Sequence, residues 1–316
     1  MRGVFVKNAR TLTEGALLLA IFTVLLLLSA YIPVISLIAT VFLMLPFIIY
    51  SEKHGLKPGL TMLSAAVVIS LLTGAFFVTV PLTLSFGTTG IIIGWMLKND
   101  KSKMAIYMAS SFIFLISIVI EYVVSILLLN MNIIEEVLEQ FQHIMDEAIE
   151  TAEQLGQPLP QDNIEELQTV TELIEVLTPT LFLTTAFVLM FIIININFPL
   201  LKKLGVRSAK FPPFRNWKLP QSIVWYYLIT LILMIFTKPE IGTYLHWALY
   251  NLFYVLQLLL VVQGFSFIYF FAHLKKWPKG LLILITVLSF PLVNFVRILG
   301  IIDLGFDLRQ RLQRKS

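Results

Sequence analysis

The sequence contains no cysteine, so disulfides, thiolate metal sites and cysteine nucleophiles are excluded. Charge is also scarce. Asp, Glu, Lys and Arg make up 13% of the 316 residues while hydrophobic residues make up 58%, against about 25% and roughly 45–50% in an ordinary soluble domain. That balance excludes a soluble enzyme and a disordered chain and places the protein in a membrane. Three signatures of chemistry are missing as well: a G-x-x-x-x-G-K-[ST] loop to cradle phosphates, an HExxH zinc motif and a G-x-S-x-G nucleophile elbow. His54, His143, His246 and His273 are scattered. The chain is therefore expected not to be an enzyme and to use no metal or cofactor, and no nucleic-acid partner is expected.

What the sequence has in abundance is long apolar runs. A membrane-crossing helix needs about 20 mostly apolar residues, and nine segments approach that length: Leu12–Tyr31, Val34–Tyr50, Leu60–Val80, Leu82–Leu97, Met104–Leu129, Leu181–Leu201, Gln221–Phe236, Leu245–Phe271 and Leu281–Ile302. The expected fold is all-α, a polytopic helical membrane protein with eight or nine transmembrane helices. Pro33, Pro58, Pro81 and Pro220 fall in breaks between segments, where a missing N–H costs least, whereas Pro46 and Pro291 fall inside and predict kinks.

Basic residues mark the cytoplasmic loops. With Arg2, Lys7 and Arg10 inside, the count forward also puts inside Lys53 and Lys57, then Lys98, Lys101 and Lys103, the six bases from Lys202 to Lys218, and Lys275, Lys276 and Lys279. The outer turns at Ile32-Pro33 and Val80-Pro81 are uncharged, and from Met104 to Leu201 there is no Lys or Arg. The N-terminus reads as an uncleaved first helix with its start in the cytoplasm. The C-terminus is the exception, since nine crossings leave Arg309, Arg311, Arg314 and Lys315 outside. Either the tail departs from the rule, or residues 281–302 turn back at Pro291 as a re-entrant element.

Between the fifth and sixth segments lies an acidic insertion. Residues 130–177 carry twelve carboxylates and no Lys or Arg. Ile134, Val137, Phe141, Met145, Ala148, Ala152 and Leu155 recur at helical steps, as do Ile164, Leu167, Thr171, Ile174 and Leu177. Gly156 to Pro160 separates the two, and Asp162 with Glu165 resembles a capping box. An extracellular amphipathic hairpin is expected over 131–177, its first helix either separate or continuing the fifth span. Solvation alone accounts for its acids. A lid over a substrate site, or a funnel for a cationic ligand, is the functional reading.

Polar groups inside spans need a partner or a water-filled site, because hydrocarbon solvates them poorly. Glu121 stands alone in the fifth segment and Arg297 in the ninth, at matching distances from the cytoplasmic ends if the last segment crosses fully, so a pair is conceivable. Asn195, Asn197, Asn251, Gln257, Gln263 and Asn294 add amides that either tie helices together or line a cavity. Glu121, Asn195, Asn251 and Arg297 are the candidates for substrate binding. Ala16-xxx-Ala20 and Gly90-xxx-Gly94 allow close backbone approach.

Leu12-Thr13-Glu14-Gly15-Ala16, the Ala16-xxx-Ala20 face and the first six spans resemble the S components of energy-coupling-factor vitamin transporters. That resemblance implies partner docking through Ala16 and Ala20 onto a separate coupling and ATPase module, with substrate held near the outer side. In Phe214-Arg215-Asn216-Trp217-Lys218-Leu219-Pro220, Gln263-Gly264 and the ending Gly300-Ile301-Ile302-Asp303-Leu304-Gly305-Phe306-Asp307-Leu308-Arg309, the whole chain is similar to the bacterial YybS membrane-protein family. It implies the bacterial cytoplasmic membrane, with the lipid bilayer as surroundings. The expected organisation is a six-helix membrane domain over 1–201 bearing the insertion, a basic cytoplasmic loop over 202–220, and C-terminal helices with a basic tail over 221–316. Two functions are implied: a substrate-binding or transport-related subunit lacking its own ATPase, or a membrane scaffold or regulatory protein on the same fold.

Overall fold

The computed structural model describes residues 2–156, 160, 171–207 and 210–313, with residues 2–9 described as backbone alone. The described elements are helical throughout. They are α1 (Arg2–Tyr31), α2 (Pro33–Phe42), α3 (Leu45–His54), α4 (Leu56–Leu71), α5 (Phe76–Lys98), α6 (Lys103–Leu129), α7 (Ile133–Gln154), α8 (Thr178–Lys203), α9 (Ser222–Thr237), α10 (Tyr244–Leu274), α11 (Lys279–Ser289), α12 (Val293–Phe306) and α13 (Leu308–Gln313), with a single 3₁₀ turn at Phe214–Asn216. No strand occurs among the described residues. Six helices are long and apolar enough to cross a membrane, α2 and α3 counting together as Pro33–His54, and α11 with α12 makes a bent seventh candidate. The shorter helices α4 and α9 have 16 residues each, about 24 Å of length.

The chain forms two compact units, one of Met1–Ile133 with Phe182–Phe211 and one of Ile134–Leu181 with Pro212–Ser316. In the first, α1, α4 and α6 run one way and α2–α3, α5 and α8 the other. Two sets of contacts fix this. At one end Glu14 bonds Lys53 and His54, Lys98 Nζ donates to the Lys53 carbonyl at 3.4 Å, and Arg207 pairs with Glu52 and Asp100. At the other end the Tyr31 hydroxyl donates to the Thr73 carbonyl. So α4 traverses the unit from Gly55 to Thr73 although it is short.

Glycine makes the closest packing here. A β-carbon on Gly90 would stand 2.9 Å from the Met44 carbonyl oxygen, and one on Gly94 would stand 2.5 Å from that of Ile48, so α5 lies directly against α3. Around that contact Phe22, Leu26, Leu43, Met44, Phe47, Ile48, Ile93, Met190 and Ile193 are fully buried. Phe22 meets Phe47 edge to face at 4.9 Å between centroids.

Prolines shape the breaks, with corrections at Pro58, which lies in the first turn of α4 and not between helices, and at Pro81. Pro46 opens α3 just after the interruption at Leu43–Met44, and Pro33 opens α2. Pro81, expected between two segments, instead lies inside α5. The break falls earlier, where Gly74 takes a φ of 77°. Sitting so near the helix start, Pro81 forfeits a single backbone bond. Thr79 caps the region by donating to the Ser70 and Ala75 carbonyls at 2.9 and 3.1 Å.

In the second unit α7 is separate from α6, because Asn130 turns left-handed at a φ of 53° and its N–H closes on the Ser125 carbonyl. The α7 helix is amphipathic, with Glu135 and Glu136 in its first turn where the helix dipole favours acids. Most of the proposed second insertion helix, including Ile164, Leu167 and the Asp162–Glu165 box, lies outside the described residues, as do Gln157 to Leu159, Arg314 and Lys315. Residues 171–176 are helical. The segment 281–302, expected either to cross or to turn back at Pro291, is two helices, α11 and α12, bent by 109° around Pro291.

Candidate functional site

The second unit buries a polar network where three distant segments meet. Its geometry starts with two glycines. A β-carbon on Gly264 of α10 would overlap the Val296 carbonyl oxygen, and one on Gly300 of α12 would overlap that of Leu260. Backbone therefore touches backbone at the crossing. This brings the carboxylate of Asp303, one turn further along α12, onto α10. Gln263 Nε2 donates to Asp303 Oδ2 at 2.5 Å, and Gln263 Oε1 accepts the Leu219 N–H at 2.9 Å.

The chain then reverses at Asp307, which ends α12 in the left-handed region at a φ of 50°. That turn carries Arg309 back over Asp303. Arg309 Nε donates to Asp303 Oδ2 at 2.9 Å, Nη1 to the Arg215 carbonyl at 2.7 Å, and Nη2 to Ser266 Oγ at 3.0 Å. Ser266 Oγ in turn has the Phe214 and Trp217 carbonyls at 2.8 and 2.6 Å as acceptors for its proton. The guanidinium also lies 5.4 Å from the Phe270 ring centroid. At the rim Lys218 Nζ meets Asp307 Oδ1 at 2.9 Å.

Asp303 and Ser266 are wholly buried and Gln263 is 1% exposed. A carboxylate so placed is held by the opposite charge and by the Gln263 amide, and removal of either ionic partner would strand the other. Asp303 Oδ1 has no hydrogen-bond partner among the described residues. The arrangement has charge, donors and acceptors but no nucleophile poised beside a base, and no cluster of three metal-ligating side chains occurs among the described residues. Chemically it is a latch. It ties the segment after α8 to α10 and to the C-terminal turn.

The residues expected to bind substrate lie elsewhere. Glu121 of α6 accepts the Ser85 hydroxyl of α5 at 2.6 Å in the first unit. Asn195 of α8 accepts from Lys103 Nζ at 3.1 Å, and that ammonium sits over Phe211 and Phe198 at 4.3 and 5.0 Å. Asn251 of α10, in the second unit, is fully engaged. It donates to the Val176 and Trp247 carbonyls and accepts from the Thr180 N–H and hydroxyl, tying residues 176–180 to α10. Arg297 is half-buried on α12, past the 109° bend. A Glu121–Arg297 pair was conceivable only if the last segment crossed straight, and that bend removes its equal-depth ground. Ala16 and Ala20 are both exposed on α1.

Asp303, Arg309 and Ser266 were not among the sequence candidates, although Gln263 was noted as an amide. The signal was present: the latch unites the three segments, 214–220, 263–264 and 300–309, that carry the family resemblance.

Helices of this length and apolarity, in this number, define a polytopic helical integral membrane protein in a lipid bilayer. The chain belongs to the family described as "Predicted membrane protein (DUF2232)", which matches residues 20–304. It is 32% identical over 311 residues to "Uncharacterized protein YybS" of Bacillus subtilis (strain 168), covering 97% of this chain and 100% of that protein. No solved structure matches it.

Proposed function

We propose that the chain is a membrane scaffold, a protein that docks others through its helices and carries no substrate through its six-helix unit. The observation behind this reading is the filled interior of that unit, where Phe22, Leu26, Met44, Phe47, Ile93 and Met190 pack together without exposure. A substrate carrier keeps a concave site with a few convergent polar groups. Of the substrate candidates in this unit, Glu121 is engaged by Ser85 and Asn195 by Lys103.

The second reading is a transport-related subunit that borrows energy from a separate coupling and ATPase module. It is favoured by the exposure of Ala16 and Ala20, which leaves a small-residue face on α1 for a partner helix. In that reading Glu121 and Asn195 would serve the substrate within the first unit.

Gentle purification followed by native mass spectrometry separates the two. The scaffold reading expects the chain with lipid and no stoichiometric small molecule. A retained polar ligand together with co-purifying ATPase subunits overturns it. Replacing Ala16 and Ala20 with Leu should leave folding intact in both readings and should remove the partner only where α1 is the docking face.

A further inference from the structure

We infer that α11 and α12 form a re-entrant hairpin and that the C-terminus lies on the same side of the membrane as the basic loop before α9, the cytoplasmic side. The contacts that set this path all lie within the second unit. The chain leaves the latch at Leu219, whose N–H is bonded to Gln263, and enters α9 three residues later. It returns along α10 to Gln263 and Ser266, which stand at that same latch. One helix out and one helix back make two crossings.

The α11–α12 segment does not add a third. The α11 helix has 11 residues, about 16 Å, roughly half of a 30 Å hydrocarbon core. It runs back along α10, with Thr286 Oγ1 3.4 Å from the Tyr269 hydroxyl and the Phe290 ring 5.9 Å from that of Phe265. The chain then turns by 109° around Pro291, and α12 crosses α10 at the Gly264–Gly300 contact. It delivers Asp303, Asp307 and Arg309 to Gln263, Lys218 and the Arg215 carbonyl. The chain thus ends where α9 began.

Sidedness follows from charge. Six basic residues fall between Lys202 and Lys218, the signature of a cytoplasmic loop. The latch carries Arg309 and Arg311 to the same face, followed in sequence by Arg314 and Lys315. The apparent exception to the positive-inside pattern disappears.

The chain has no native cysteine, so single cysteines report cleanly. Asn216→Cys in the loop and Gln313→Cys in the tail should both resist an impermeant maleimide in intact cells and both react after the membrane is opened. Glu240→Cys, in the turn between α9 and α10, should react from outside. Labelling of Gln313→Cys in intact cells, with Asn216→Cys still protected, overturns the re-entrant hairpin. Labelling of both from outside overturns the assigned side. Adding Arg309→Gln to Gln313→Cys should speed labelling in opened membranes at least several-fold, because the tail is then released; an unchanged rate denies the latch its hold on the tail.

Discussion

Asp303 and Arg309, six positions apart across the left-handed turn at Asp307, form an ion pair 2.9 Å long with side chains 0% and 8% exposed. Neither charge has another opposite charge among the described contacts, so each depends on the other. Replacing Asp303 with Asn or Arg309 with Gln should each destabilise the protein by about 3–5 kcal/mol, the cost of an uncompensated buried charge. The double substitution should recover part of that loss. Unfolding in mixed detergent measures both, and strictly additive losses would show that the two side chains do not act as a pair.

The glycine contact should be intolerant of a single methyl group. Gly264→Ala and Gly300→Ala each set a β-carbon against backbone that has no rotamer to retreat into, and should cost at least about 1–3 kcal/mol. Gly280 and Gly305, where an added methyl would meet nothing within 4 Å, serve as controls and should accept Ala with little effect. Equal losses at all four positions would mean that helix propensity or handling, not close approach, governs the result.

In the first unit the same logic separates two small-residue faces. Gly90 and Gly94 of α5 pack directly against α3, so Ala there should force the two helices apart and lower the melting temperature. Ala16 and Ala20 are exposed, so Leu at both should leave the melting temperature near its starting value. A large loss from the alanine pair would place that face inside the fold.

Much of the helix pattern was legible in the sequence, because apolar run length is set by the bilayer itself. The breaks at Pro46 and Pro291 were legible too, since a missing N–H inside a helix leaves few alternatives. Pro81 misled because the same residue is harmless near a helix start, and a propensity rule does not know where the start lies. The latch was not read as chemistry. Asp303 and Arg309 sit at the end of an apolar run, where charge usually means solvent, and only the turn at Asp307 makes them partners. Depth along a straight helix suggested Arg297 instead, and a 109° bend invalidates that arithmetic. Asn251 was flagged from its span position alone. Three of its four bonds could not be, since Val176 and Thr180 lie more than 70 residues away.

Those bonds give a further expectation. Asn251→Ala removes the tie between α10 and residues 176–180, at on the order of 1 kcal/mol in all for amide bonds in membrane proteins. Global stability should change little, while the acidic segment should become more open to a protease. Unchanged cleavage kinetics within 134–181 would indicate that other contacts hold it.

The most direct test of the account joins Lys218 to Asp307, whose side chains meet at 2.9 Å and are 34% and 24% exposed. Lys218→Cys and Asp307→Cys in one chain, with a protease site placed between α9 and α10, should be bridged by a short thiol-reactive linker in native membranes. The two fragments should then stay together on a denaturing gel after cleavage. Efficient single labelling of both cysteines with no bridged product would place the tail away from the loop and contradict the latch.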